Sequence, residues 1–226
     1  MKIEVFLRHC HTSKVNISSK NRPGWWDKQK VFENFKKTVN PKTTNYTVIY
    51  DKHYGEKTFS YENVYEIDCG KESSSFCETL DYVMKQDLDD ETIIYFLEDD
   101  YVHKPEWDRI LIDGFSLFAD YVTLYDHGDK YCEVYKDFRT KILVTDLSHW
   151  MPTPSTTNTF ATKFKTLKED IEIHRYFSTG FEPSADHAKF LELNRRGRNL
   201  ISCIPGYSTH CHTEFLSPCI KWEEYL

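Results

Sequence analysis

A chain of 226 residues with 39% hydrophobic and 29% charged residues can bury a substantial core and is too apolar to be a disordered tail. Its formal net charge of -7 argues against a nucleic-acid binder, which presents a basic face. Glycine is scarce, eight in all, and neither the Walker-type nor the dinucleotide-type glycine loop occurs, so phosphate recognition by such a loop is excluded.

Ile3 to Leu7 predicts a first strand that runs into the polar cluster Arg8-His9-Cys10-His11, with no charged-then-apolar leader before it. A helix follows, with Trp25, Phe32, Phe35 and Val39 on one stripe and Asn40-Pro41 as its stop. Tyr46 to Tyr50 and Val64 to Ile67 predict two more strands, ending at Asp51 and Asp68. Ser75 with Glu78 reads as a capping box for a helix whose stripe is Phe76, Leu80, Val83 and Met84. Thr92 to Leu97 is the strongest strand, apolar at successive positions as in a sheet covered on both faces, and Glu98-Asp99-Asp100 stands at its carboxyl end. Pro105 opens a helix bearing Trp107, Ile110, Leu111, Phe115 and Phe118, and Tyr121 to Tyr125 predicts a strand ending in Asp126-His127.

The second half is less regular. Lys141 to Thr145 predicts a strand, Met151-Pro152-Thr153-Pro154 a rigid bend, and Thr159 to Phe177 one helix with Phe160, Phe164, Leu167 and Ile171 in register and Gly180 beyond it. Ser184 is the expected cap of a further helix carrying Ala188, Phe190 and Leu191, and Ile201 to Ile204 a last strand before a tail that contains His210 and His212. No linker or repeat divides the chain, so one domain over 1–226 is expected, with 1–127 as a nucleotide-binding half and 128–226 as an acceptor-binding half.

Strand-helix alternation implies a largely parallel α/β sheet whose ligands lie at the carboxyl ends of its strands. Arg8, Asp51, Asp68, the acidic triplet and Asp126 all fall at such ends. Three adjacent acids repel one another and call for cations nearby, and Mg²⁺ or Mn²⁺ takes one or two carboxylates together with phosphate oxygens. His210, with His212 two residues on, is a second candidate for such a cation, since imidazole suits Mn²⁺. Asp186, in the first turn of the helix after Ser184, is either an acid favoured by the helix dipole or a general base, with His187 as its competitor. Lys163, Lys165 and Lys168, and Arg195, Arg196 and Arg198, read as solvated basic faces. The seven cysteines are odd in number and lack CxxC spacing, and no apolar run reaches the length of a membrane span. A cytoplasmic protein with free thiols is expected, in which the sequons at Asn16 and Asn45 are accidental.

Tyr95-Phe96-Leu97-Glu98-Asp99-Asp100, with Ser184-Ala185-Asp186-His187 and Ser208-Thr209-His210 after it, resembles the DxD signature and its companions in GT-A type glycosyltransferases. The size and the Lys/Asn/Tyr/Phe-rich composition are similar to small glycosyltransferases of large DNA viruses and some bacteria, which would place a viral protein in the host cytoplasm. The resemblance implies a single Rossmann-like domain with a mixed, mostly parallel sheet. It implies a nucleoside diphosphate sugar donor, UDP-linked by preference, and a glycan or glycoprotein acceptor, with no nucleic acid as partner. It assigns Asp100 and His210 to Mn²⁺ or Mg²⁺, and Glu98, Asp99, Asp51 and Arg8 to the nucleotide. Asp186 is then the base of an inverting transfer. Trp150 and the Thr153 to Asn158 stretch are candidates for lining the acceptor cleft, although core packing is the more ordinary role for them. The triplet departs from strict DxD spacing, which leaves the metal contact to Asp99 or Asp100. A metal-dependent hydrolase or nuclease, or a non-catalytic carbohydrate- or nucleotide-binding domain, is the competing reading.

Overall fold

Strand β1 spans Ile3–Cys10 and so continues through the polar cluster, because its parallel ladder with β2 (Thr44–Asp51) runs on to the pair Cys10 and Asp51. The computed structural model describes residues 1–12, 21–55 and 60–226; the sequon at Asn16 lies outside the described residues. Between these strands lies helix α1, Lys28–Thr38, started by the Asp27 carboxylate, which accepts from the Lys30 amide at 2.9 Å. Trp25 precedes the helix and packs instead with the cluster of Val31, Val102, Cys211 and Trp222. The chain continues with β3 (Val64–Ile67), α2 (Glu72–Met84), β4 (Ile93–Glu98), β5 (Tyr101–His103), α3 (Trp107–Phe115) and β6 (Tyr121–Thr123). The remainder supplies β7 (Leu143–Val144), β8 (His149–Pro152), β9 (Phe160–Lys163), α4 (Phe164–Tyr176), α5 (Asp186–Arg195), β10 (Leu200–Ile204) and β11 (Ser208–His210).

Nine strands form one sheet in the order β3-β2-β1-β4-β9-β6-β10-β8-β7, while β5 and β11 form a separate two-stranded ribbon. β9 is antiparallel to both its neighbours and β8 to both of its own; the other seven strands share one direction. Strands from residues 128–226 therefore complete the sheet begun by residues 1–127. The packing of β4 shows why its sequence is apolar up to Leu97. Ile93, Tyr95 and Leu97 face the layer of α1 and α3, whereas Ile94 and Phe96 face that of α2, α4 and α5.

Several expectations change. The stretch from Thr159 to Phe177 is not one helix: Phe160–Lys163 is β9, and α4 begins at Phe164. The Phe160-Phe164-Leu167 spacing suits a helix, but β4 and β6 have edges whose backbone groups need a partner, and β9 supplies it. Met151 and Pro152 belong to a strand, paired with β10, rather than to a bend. Helix α2 starts at Glu72, so Ser75 lies inside it and caps nothing; its carbonyl accepts from the Thr79 hydroxyl. Phe118 lies beyond α3, at φ 56°, and is 92% exposed. Helix α5 buries Lys189, Phe190 and Leu193 rather than Ala188 and Leu191, and no side chain caps it. Trp150 is fully buried, and a Cβ on Gly114 would come within 2.7 Å of its ring, so of its two readings the structure bears out core packing. The basic faces are exposed or half-buried, in keeping with their reading as solvated, and most of their members pair with acids: Lys163 with Glu91, Lys168 with Asp90, Arg195 and Arg196 with Glu192, and Arg198 with Asp120, Glu169 and Asp170.

Candidate functional site

Beyond β4 the chain turns sharply at Asp99-Asp100 into β5, and β5 pairs antiparallel with β11 so that Tyr101 lies opposite His210. That ladder carries a histidine 110 residues distant back to the acidic turn. The His210 ring stacks on Tyr101 at 5.2 Å and 12°, and its Nε2 is 3.1 Å from Asp100 Oδ2. His212 turns onto Phe215, its ring centred 4.5 Å away and 6.0 Å from the His210 ring.

The three acids are met by cations of the chain itself. Arg8, beside Glu98 in the β1–β4 register, reaches Glu98 Oε1 at 3.0 Å and Glu72 Oε1 at 2.9 Å. Asp99 Oδ2 takes Lys28 Nζ at 2.8 Å, His9 Nδ1 at 2.8 Å and the Cys10 amide at 3.3 Å. Asp100 Oδ2 takes Arg22 Nη2 at 3.0 Å. Burial alone would push the Asp99 carboxyl up, but Lys28 and His9 hold it well below the usual carboxylate range. This compensation is what lets a fold keep three acids at a buried sheet edge.

Asp186 is linked to this cluster through the charges of Glu72 and Lys189. Glu72, the first residue of α2, accepts from Arg8, from Asn158 Nδ2 at 3.0 Å and from the Ser184 amide at 2.8 Å. Asn158 also accepts a short hydrogen bond from Lys189, whose ammonium is buried over the rings of Phe76, Phe160 and Phe190. Burial lowers the Lys189 ammonium to about 8 against the pull of Asp186 and Glu72. Asp186, at the start of α5, is pushed up by burial and by Glu72, with Lys189 opposing. It is half-buried, whereas His187 is exposed and bonds Ser155 Oγ at 2.9 Å. The Thr153 to Asn158 stretch thus threads from α5 to the acidic turn, where Thr157 bonds the Tyr101 hydroxyl at 2.8 Å.

Two of the residues assigned to the nucleotide also have structural partners within the chain. Arg8 is 6% exposed, and its two terminal nitrogens meet Glu72 and Glu98, so it braces the acidic turn from β1. Asp51 accepts the amides of His53, Cys69 and Gly70 and ties the end of β2 to the turn after β3. Asp68 pairs with His53 on the surface, and Asp126 is buried beneath the Tyr131 hydroxyl, which donates to both of its oxygens. Glu72, Lys189, Lys28 and Arg22 escape sequence reasoning, and His9 and Asn158 enter it only as members of a polar cluster and of the Thr153 to Asn158 stretch. Only Glu72 carries a local signal, an acid in a helix's first turn, and the capping-box reading of Ser75 masks it.

The donor set suits a cation held jointly with phosphate. Among the described residues no three His, Cys, Asp or Glu side chains converge on one point. Asp100 Oδ2 and His210 Nε2 are 3.1 Å apart, close to the roughly 3.0 Å that separates adjacent ligands of an octahedral ion at about 2.1 Å. A carboxylate and an imidazole, with phosphate oxygens and water in the other positions, fit Mn²⁺.

The Glu72 network has a pH consequence. Burial raises its carboxyl, but Arg8, the Ser184 amide and Asn158 outweigh that and hold it at about 2, against an ordinary 4.5. A depressed carboxylate stabilises the fold above the unfolded value and loses that contribution as pH falls through the folded one. Melting temperature is therefore expected to fall between pH 4.5 and about 2, and Glu72→Gln to flatten that fall in a pH series of thermal melts.

No protein-family model matches the chain, and no curated protein matches its sequence. Solved structures do resemble it. A197 from STIV superposes with a TM-score of 0.50 at 12% identity, over 98% of this chain and 92% of that one. Residues 1–349 of S. aureus TarS superpose with a TM-score of 0.51 at 13% identity, over 92% of this chain, which spans 60% of that one. CMP:2-keto-3-deoxy-manno-octonic acid synthetase complexed with CTP gives 0.49 at 13% identity, over 91% and 92%. At such identities the likeness is one of fold: an α/β, Rossmann-like GT-A domain with a mixed, mostly parallel sheet, as the acidic motif implied.

Proposed function

We propose that the chain is a metal-dependent glycosyltransferase that moves a sugar from a nucleoside diphosphate sugar, preferentially UDP-linked, to a hydroxyl of a glycan acceptor with inversion. The observation that carries this reading is the pairing of Asp100 with His210 at the carboxyl edge of β4. Asp100 and His210 would hold Mn²⁺ or Mg²⁺, which when bound supplies charge stabilisation to the departing diphosphate. Glu98 and Asp99 shape the nucleotide side of the turn, and Arg8 and Asp51 fix the strand ends behind them. Asp186 accepts the proton of the acceptor hydroxyl at its carboxylate. Burial and the neighbouring Glu72 make it a stronger base than a solvated aspartate.

Incubation with a panel of sugar nucleotides and MnCl₂, measuring release of nucleoside diphosphate with and without glycan acceptors, tests this function. Release that needs both the cation and one class of sugar nucleotide is expected, and the anomeric configuration of the product reads the stereochemistry. Cleavage of phosphodiesters instead would establish a hydrolase. Thermal stabilisation by sugar nucleotides without turnover would establish a binding domain.

A further inference from the structure

Among the described residues Asp100 Oδ2 meets two partners at nearly equal distance, His210 Nε2 at 3.1 Å and Arg22 Nη2 at 3.0 Å. The guanidinium is firmly seated. Its Nη1 donates to the Cys211 carbonyl at 2.7 Å, its Cζ lies 4.6 Å from the centre of the Trp26 ring, and the Asn21 carbonyl beside it accepts from the Thr213 amide at 2.8 Å. The Arg22 side chain is 12% exposed and that of Asp100 3%. The segment 21–28 thus brings one cation to each of two adjacent acids, Arg22 to Asp100 and Lys28 to Asp99.

A fixed guanidinium on Asp100 and a divalent cation on the same oxygen repel one another across a few ångströms in a site with little water to screen them. Moving the guanidinium aside strands a positive charge unless an anion takes it up. A diphosphate is such an anion, and the planar fork of an arginine matches two phosphate oxygens.

We infer that Arg22 is a built-in competitor for the cation on Asp100, and that on displacement it becomes a ligand for the diphosphate of the donor. The inference rests on the proposed role of Asp100. Cation and nucleoside diphosphate then bind as a pair, since each removes the obstacle to the other, and the coupling is reciprocal. Lys28 stays beside the same diphosphate on Asp99. The chain guards its acidic turn against free divalent ions and admits them with the donor.

Calorimetric titration of the full chain with MnCl₂, alone and with UDP as the diphosphate probe, tests this. Wild type is expected to bind Mn²⁺ weakly alone and about tenfold or more tightly with UDP, a factor worth about 1.4 kcal/mol. Arg22→Gln should bind Mn²⁺ alone about tenfold more tightly than wild type, and UDP in the presence of Mn²⁺ less tightly. Arg22→Lys keeps the charge and loses the fork; it should stay close to wild type for Mn²⁺ alone and still weaken UDP. Thermal melts of both variants within a few degrees of wild type would certify their folds. Equal Mn²⁺ affinity in wild type and Arg22→Gln, with UDP still enhancing it, would overturn the role of Arg22 and leave the glycosyltransferase reading standing. Absence of Mn²⁺ binding by either protein, even with UDP, would overturn that reading and this inference with it.

Discussion

Replacing Asp186 with Asn is expected to lower transfer by about 100- to 10,000-fold, the usual contribution of a positioned general base, while donor affinity stays near wild type. The residue begins α5, and α5 is held against the acidic turn through Ser184, Glu72 and Arg8, so Asp186 shares an electrostatic neighbourhood with Glu98 without being bonded to it. Burial and Glu72 raise its carboxyl, which moves the acid limb of the rate profile above the ordinary aspartate value of 3.8. The proton is accepted only by the ionised form, so activity falls as pH drops through that raised value, and Asp186→Asn should abolish the limb. His187 is the rival base. It is exposed and tied to Ser155, so His187→Ala should cost far less than Asp186→Asn. The reverse order, read from kcat of the two variants, would move the base to His187.

The largest stability effect is expected from Glu72→Ala. This one carboxylate joins β1, α2, the stretch before β9 and the entry to α5. Its removal leaves Arg8 buried with Glu98 as its remaining carboxylate partner and frees the amides of Ser184 and Asn158 from their acceptor. Breaking a buried ion pair costs about 3–5 kcal/mol, and the surviving Glu98 contact places this one near about 3. For a chain of this length that lowers the melting temperature by roughly 6–12 °C. Glu72→Gln keeps an acceptor for Ser184 and should lose less. A melting temperature for Glu72→Ala within a degree or two of wild type would show that the network is dispensable.

The parts of the fold legible from sequence are those in which local pattern and tertiary need agree. β4 is apolar from Ile93 to Leu97 because helices cover both its faces, and α3 carries a core stripe that its Trp107, Ile110 and Leu111 fill. β9 was hidden because a short apolar segment running straight into a helix shares its spacing, and only the open edges of β4 and β6 decide for a strand. The ribbon of β5 and β11 was hidden for a similar reason, being three residues per strand. At the site, the residue types of Asp100, His210 and Asp186 suffice to nominate them. What sequence does not carry is the pairing. Arg8 and Glu72 meet across 64 positions, Arg22 and Asp100 across 78, and Asn158 and Glu72 across 86, with no local spacing to betray any of them. For the same reason Arg8 and Asp51 stand out in sequence as residues at strand ends, while their bracing contacts to Glu72 and to the turn after β3 are seen only in the structure.

The acidic turn is therefore a carboxylate cluster already balanced by its own chain, in which His9 reaches Asp99 and His210, from the β11 ribbon, reaches Asp100. The most direct measurement is the rate of nucleoside diphosphate release from the preferred sugar nucleotide by wild type and Asp100→Ala, each with Mn²⁺ and with a chelator. The predicted result is turnover that the chelator abolishes in wild type and that is absent from a folded Asp100→Ala protein. A folded Asp100→Ala protein that turns over the donor at the wild-type rate would contradict the assignment of the cation, and with it the proposed chemistry.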